Sequence, residues 1–237
     1  VDKAEDFYKR YEFKENKINE VYNAACVAFL KQQVGREAPV LELGAGQGAI
    51  MLPLAREGFD VRGMEVVQKH VEALREAAQK EPAVDVEEGV IEDSWHHLDT
   101  RVEDKTLGAV YMVGGTMMFE NHGFFRAKLL RDVAAKLQEG GKFIVDFQDP
   151  SHAVTKTKID YYNREMKALG HTVTPGDAFH KSPDGKYLIA HYPTKEELVE
   201  LATRAGLVLE TENRVDVPLG GGQEPLGVFQ LVFVKEV

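Results

Sequence analysis

The sequence predicts an α/β fold with a doubly wound, Rossmann-like parallel sheet, and three observations carry that prediction. From Pro39 onward, short apolar runs alternate with longer stretches of helical period, the rhythm of successive βαβ units. One run, Val40–Leu43, opens directly into Gly44-Ala45-Gly46-Gln47-Gly48, a glycine-rich strand-to-helix turn. Another, Leu107–Val113, is apolar throughout, as expected of a strand covered on both faces.

The elements follow in order. Residues 1–37 read as a helical N-terminal cap with Phe7, Tyr8, Tyr11 and Phe13 at its start. Residues 38–237 read as one ligand-binding domain. After the first strand, a helix runs to about Arg56, with Pro53 early in it and Gly58 past its end as a C-cap. Phe59–Met64 is a second strand closed by Glu65, Lys69–Gln79 an amphipathic helix, and Val84–Val90 a weaker third strand. Leu107–Val113 is the fourth strand. The helix Phe124–Leu137 ends at Gly140-Gly141, and Lys142–Phe147 is the fifth strand. Thr194 and Glu197 have the spacing of a capping box, T-x-x-E, for a helix ending near Ala205-Gly206. Leu207–Val217 and Gly227–Val234 are two long strands around Gly220-Gly221-Gly222, hence antiparallel. Residues 151–193 interrupt the rhythm as an insertion. They hold an amphipathic stretch, Lys156–Leu169, and a hairpin turned at Ser182-Pro183-Asp184-Gly185.

Composition narrows the function. The chain has 237 residues, 43% of them hydrophobic, which supplies a continuous core. With 39 acidic and 29 basic residues the formal net charge is −10, and no Lys/Arg run exceeds two; this argues against a nucleic-acid partner or an anionic membrane. A single cysteine, Cys26, excludes an intramolecular disulfide and a cysteine-based zinc site, and reads as a small buried side chain. No signal-peptide pattern and no membrane-length apolar run is visible, so a cytoplasmic protein is expected.

The glycine loop carries most of the functional argument. Gly44 and Gly46 permit a tight turn and close approach of a ligand to the backbone, and Glu65 lies 21 residues after Gly44, at the end of the next strand. An acid there can accept hydrogen bonds from the hydroxyls of an adenosine ribose. The literal pattern Gly44-x-Gly46-x-x-Ala49 also satisfies a dinucleotide fingerprint, so a nicotinamide cofactor is the competing reading. Glu42 opposes it: a carboxylate two residues before the first glycine would repel a pyrophosphate, whereas it suits the ammonium and sulfonium of S-adenosylmethionine (SAM).

These residues resemble the first motif, E/D-x-G-x-G-x-G, of the class I SAM-dependent methyltransferases, with Glu65 at the ribose-binding acid. Val110–Gly114 and Lys136–Phe147, with Gly140-Gly141, are similar to the family's fourth- and fifth-strand segments. Thr194-Lys195-Glu196-Glu197-Leu198 through Ala205-Gly206-Leu207 is similar to a late segment of small-molecule members. The resemblance implies a seven-stranded sheet of order 3-2-1-4-5-7-6 with strand 7 antiparallel. It also implies SAM lying across the carboxyl ends of strands 1 and 4. It places the cofactor near Tyr11, Glu42, Gly44, Ala45, Gly46, Glu65, Val66, Val90, Ile91, Glu92 and Val113. One departure stands out. Many members end strand 3 with Gly-Asp, whereas here Gly89 precedes Val90-Ile91-Glu92-Asp93, so the group that meets the adenine stays open among these four.

Methyl transfer is an in-line displacement in which alignment supplies much of the rate, and a base helps where the acceptor holds a proton. His122, after the fourth strand, and His152, after the fifth, are the candidate bases. Tyr8, Met117, Tyr161 and Tyr162 are candidate acceptor-binding residues. No metal is expected, because Val113-Gly114-Gly115-Thr116 lacks the acid that a catechol-type metal site would carry. The expectation is a monomeric or homodimeric methyltransferase acting on a nitrogen or oxygen of a small molecule, with residues 151–193 as a lid or a dimer contact. A tRNA or protein methyltransferase, a nicotinamide-dependent oxidoreductase and an inactive SAM-binding protein are the alternatives.

Overall fold

The computed structural model describes residues 17–82, 84–181, 187–218 and 224–236. Helix α1 (Lys17–Gln33) leads into β1 (Val40–Leu43), α2 (Met51–Arg56), β2 (Val61–Glu65) and α3 (Gln68–Ala78). Then come a single turn α4 (Val86–Gly89), β3 (Val90–Glu92), α5 (Leu98–Arg101), β4 (Leu107–Met112), α6 (Gly123–Lys136) and β5 (Leu137–Gln148). The chain continues with α7 (Ala153–Ala168), β6 (Asp177–Lys181), β7 (Tyr187–His191), α8 (Lys195–Arg204), β8 (Leu207–Val217) and β9 (Leu226–Lys235).

Seven strands form one sheet in the order β3-β2-β1-β4-β5-β9-β8. The first five pair in parallel, and β9 runs antiparallel to both β5 and β8, which is the topology expected. Side chains alternate across the sheet and build a core on each face. Val40, Ala109 and Tyr111 join Cys26, Leu30, Met51 and Leu74 on one side. Leu41, Leu43, Val110 and Met112 join Leu130, Val133 and Leu198 on the other.

Two expectations need correction. The strand expected over Val84–Val90 is instead the turn α4 followed by the short β3. Asp85 diverts it: its carboxylate accepts from the N–H groups of Glu87 at 2.9 Å and Glu88 at 3.2 Å, nucleating a helical turn where alternation suggested a strand. The capping box is only half formed. Thr194 accepts from Glu197 N–H at 3.1 Å, but the Glu197 carboxylate turns to other partners described below.

The segment between β5 and α8 packs α7 against the two-stranded antiparallel sheet β6–β7. Its small core of Ile159, Tyr162, Ala178, Ala190 and Tyr192 also takes in Met118, from the loop after β4. The segment therefore sits at the carboxyl edge of the main sheet. The turns expected at 182–185 and 220–222 lie outside the described residues. Among the described residues no helix is long and apolar enough to cross a membrane.

Candidate cofactor and acceptor site

The first strand ends where Gly44 and Ala45 donate N–H bonds to Met64 O at 2.8 and 3.1 Å, which ties the start of the glycine loop to β2. Gly44, Gly46 and Gly48 have φ of 75°, 55° and 86°, a left-handed course that other residues adopt only with strain. A Cβ on Gly44 would also lie 2.6 Å from Thr116 Cγ2, so the loops after β1 and β4 meet only because that position is bare. At Gly46 no atom of the described residues occupies the space a side chain would take.

Glu65 fastens the loop from the other side. Its Oε2 accepts from Gly46 N–H at 2.8 Å, and its Oε1 accepts from Val66 and Val67 N–H at 2.9 and 2.8 Å. The carboxylate is buried; burial raises its pKa while these N–H bonds oppose the rise. Glu42 lies beneath the loop and accepts from the Tyr111 hydroxyl at 3.0 Å. Burial pushes the Glu42 carboxyl up to about 8. This modifies the charge argument made from sequence. At neutral pH the group is largely protonated, and a neighbouring cation is what would draw it back toward the carboxylate.

At the end of β3, Glu92 pairs with Arg75 at 2.8 Å. Asp93 binds His97 Nδ1 at 2.7 Å and also meets Arg101. Against the burial penalty, these partners and the Ser94 N–H hold Asp93 at about 2. Both acids are thus engaged in ion pairs, while Val90 and Ile91 pair with β2 and the Ile91 carbonyl also accepts from Asp93 N–H at 3.1 Å. Val113 is buried, and its carbonyl accepts from the Thr116 hydroxyl at 2.8 Å.

The sequence-predicted residues on the acceptor side fare differently. His122 occupies the N-cap of α6 without capping it, exposed, with its ring edge-on to Phe125 at 6.0 Å. His152 occupies the N-cap of α7, and its Nδ1 is buried without a hydrogen-bond partner among the described residues. Met117 is fully buried in the sheet core and presents no open face. Tyr162 packs against Phe179 at 4.8 Å within the core of the inserted segment, and Tyr161 is 42% exposed. Tyr8 and Tyr11 lie outside the described residues.

Three groups escaped the sequence reading. Asp146, buried in β5, accepts from Gly114 N–H at 3.0 Å and Gly115 N–H at 2.7 Å, and also receives the Tyr22 hydroxyl of α1. It pins the loop after β4 and couples that loop to the N-terminal helix. Glu120, also buried, receives Trp95 Nε1 at 3.2 Å and bonds His96, holding the indole beside Gly44. His191 is buried between two acids, with Nδ1 2.8 Å from Asp177 and Nε2 3.0 Å from Glu197, and Arg126 closes on Glu197 at 2.7 Å. Nothing local in the sequence pairs these residues; only the fold does. Among the described residues no group of three or more His, Cys, Asp or Glu side chains is placed to hold a metal ion.

Residues 40–141 match a protein family described as a methyltransferase domain. That match and the sheet order support a class I SAM-dependent methyltransferase. The chain is similar to an S-adenosyl-L-methionine-dependent Diels-Alderase of Talaromyces variabilis, at 32% identity over 104 residues, or 44% of this chain. The match spans about a third, 34%, of that curated relative. Among solved structures, the methyltransferase fold matches a SAM-dependent methyltransferase of Methanosarcina mazei. The TM-score there is 0.72 at 17% identity, over 88% of this chain and 97% of that one. It also matches magnesium protoporphyrin IX methyltransferase of Synechocystis PCC 6803 with bound S-adenosylhomocysteine. The TM-score is 0.62 at 13% identity, over 98% and 93% of the two chains. At these identities the likeness is one of fold.

Proposed function

We propose that the protein is a SAM-dependent methyltransferase that moves a methyl group to a nitrogen or oxygen of a small molecule, releasing S-adenosylhomocysteine. The observation that carries the reading is the joint between the glycine loop and the acid of β2: Gly46 N–H held at 2.8 Å by Glu65, with open space above Gly46. A ribose diol needs an acceptor at that corner, and a methionine end needs a close, neutral-to-acidic backbone turn. The donor set fits. Glu42 and Glu65 are the acids of the loop's floor, and the glycine loop itself holds no lysine or arginine to neutralise a pyrophosphate.

The chemistry SAM supplies when bound is an electrophilic methyl on a sulfonium. The residues of this chain have the remaining tasks. Glu65, Gly44 and Gly46 fix the cofactor, with the backbone of Val66, Val90 and Ile91 and the buried Val113 around its adenosine. Asp146 fixes the loop after β4 through Gly114 and Gly115. The segment 151–193 excludes water over the acceptor. His152, whose Nδ1 lacks a partner among the described residues, takes the acceptor's proton, with His122 as the second candidate. The net charge of −10 supports a small-molecule acceptor over a nucleic acid.

A second reading comes from the curated relative, a Diels-Alderase that depends on the same cofactor. In that reading SAM is held but its methyl is not transferred. Calorimetric titration with S-adenosylhomocysteine and NAD, using the parent and Glu65→Ala, tests cofactor choice. The account expects the adenosyl ligand alone to bind and the variant to lose it. Mass spectrometry of turnover mixtures separates the two activities: a methyltransferase yields one S-adenosylhomocysteine per product, a pericyclase none.

A further inference from the structure

One face of α7 carries buried polar atoms that have no hydrogen-bond partner among the described residues. Thr155 Oγ1 and Tyr192 Oη are buried with no hydrogen bond among the described residues, and both residues are at most 1% exposed. His152 Nδ1, Asn163 Oδ1 and Gln148 Oε1 are buried and equally unpartnered among the described residues. His152, Thr155, Lys158 and Asn163 fall on one side of the helix by their spacing. Gln148 ends β5 just before it. Lys158 Nζ lies 5.8 Å from the centre of the Tyr192 ring, half-buried, and burial alone lowers its pKa. It has no carboxylate partner among the described residues.

Buried polar atoms are nearly always paired, because an unpaired one forfeits its hydration for nothing. Several gathered on one helix face, at the sheet edge marked by Met118, form an incomplete hydrogen-bond set. Its chemistry is divided. One ammonium and two hydroxyls can donate to an anion, while an imidazole nitrogen and two amide oxygens can accept from an N–H or O–H.

We propose that this face is the anchoring site of the methyl acceptor, and that it takes a small carboxylic acid bearing its own hydroxyl or amino group, with the carboxylate on Lys158, Thr155 and Tyr192. The proposal rests on the methyltransferase reading above. The acceptor's N–H or O–H then falls to His152, Asn163 and Gln148, and the carboxylate supplies the counter-charge that Lys158 lacks.

The test is a titration of the full chain, saturated with S-adenosylhomocysteine. The probes are 4-hydroxybenzoate, anthranilate and L-tyrosine, each against its primary amide, followed by protein-observed NMR. At least one acid should bind tenfold or more tightly than its amide. Lys158→Gln should abolish that preference while leaving S-adenosylhomocysteine affinity unchanged. Thr155→Val keeps the shape and removes the hydroxyl. It should weaken the acid severalfold, yet the free protein should melt no lower than the parent. If no acid outbinds its amide, if Lys158→Gln keeps the preference, or if Thr155→Val melts markedly lower, the site assignment is wrong. If S-adenosylhomocysteine itself fails to bind, the cofactor reading falls instead, and the acid–amide comparison, repeated without it, still decides the anchoring site.

Discussion

At the glycine loop, Glu65 is met by three backbone N–H groups and Glu42 by the Tyr111 hydroxyl. Along α7, the hydroxyls of Thr155 and Tyr192 and the Nδ1 of His152 have no hydrogen-bond partner among the described residues. Both regions lie at the carboxyl edge of one sheet and both bury polar atoms, yet one is complete without a ligand and the other is not. The difference fits the division of labour in a transferase. A cofactor corner is rigid beforehand, so that binding does not have to order it. An acceptor corner keeps hydrogen-bonding capacity for a molecule that comes and goes.

The sharpest way to probe the complete corner is pH. The Glu42 carboxyl titrates near 4.5 in an unfolded chain and at about 8 in the fold. The folded state therefore holds the proton more tightly, and stability falls as pH rises from the lower value through the upper one. Glu42→Gln should remove that fall and be the more stable protein above pH 8, by on the order of 5 kcal/mol at about 1.36 kcal/mol per pKa unit. Urea unfolding between pH 5 and pH 9 measures it; parallel curves for parent and variant would show that Glu42 ionises freely.

Glu65→Ala strips the acceptor from Gly46, Val66 and Val67. A stability loss of about 3 kcal/mol is expected from the orphaned donors, together with a roughly hundredfold loss of adenosyl-ligand affinity. Equal loss of stability without loss of affinity would reduce Glu65 to a loop brace.

His191 provides a third contrast, because it is a fully paired group within the otherwise unsatisfied segment. It faces Asp177 from β6 and Glu197 from α8, with Arg126 of α6 behind Glu197 and Tyr162 of α7 near Asp177. Burial opposes its charge, but the two acids prevail and raise its pKa. The stabilisation is therefore present below the ordinary histidine value near 6.5 and is lost as pH rises through the raised one. His191→Gln should cost about 2 kcal/mol at pH 6 and less at pH 9, seen as faster amide exchange over β6 and β7. A loss that does not change with pH would contradict the ion-pair account.

The smallest expected effect is that of Tyr22→Phe. It removes one donor from Asp146, which keeps its two glycine N–H bonds, and should lower stability by about 1 kcal/mol in thermal unfolding.

Much of this was legible in the sequence because it is local. The alternation of apolar runs marked the strands, the resemblance to the methyltransferase family implied their order, and Gly44, Gly46 and Glu65 sit within one βαβ unit. What escaped was long-range or conditional. Asp146 reads as a polar residue in an apolar strand until Tyr22 arrives from 124 positions away. Glu197 fits a capping pattern, yet its carboxylate is drawn off by Arg126 and His191, a choice only the packed helices can impose. Asp85 turned an apparent strand into a helical turn because a cap can outcompete alternation over a few residues. Met117 and Tyr162 were chosen as pocket residues for their chemistry, and the fold assigned them to packing.

The most direct measurement is an amide NMR titration of the protein with S-adenosylhomocysteine and, separately, with NAD. The account predicts that the Gly46, Val66 and Val67 amides, which the Glu65 carboxylate now holds, shift on adding the adenosyl ligand and stay in place with NAD. Shifts of those amides with NAD alone would mean that the glycine loop serves a dinucleotide and that the methyltransferase reading is wrong.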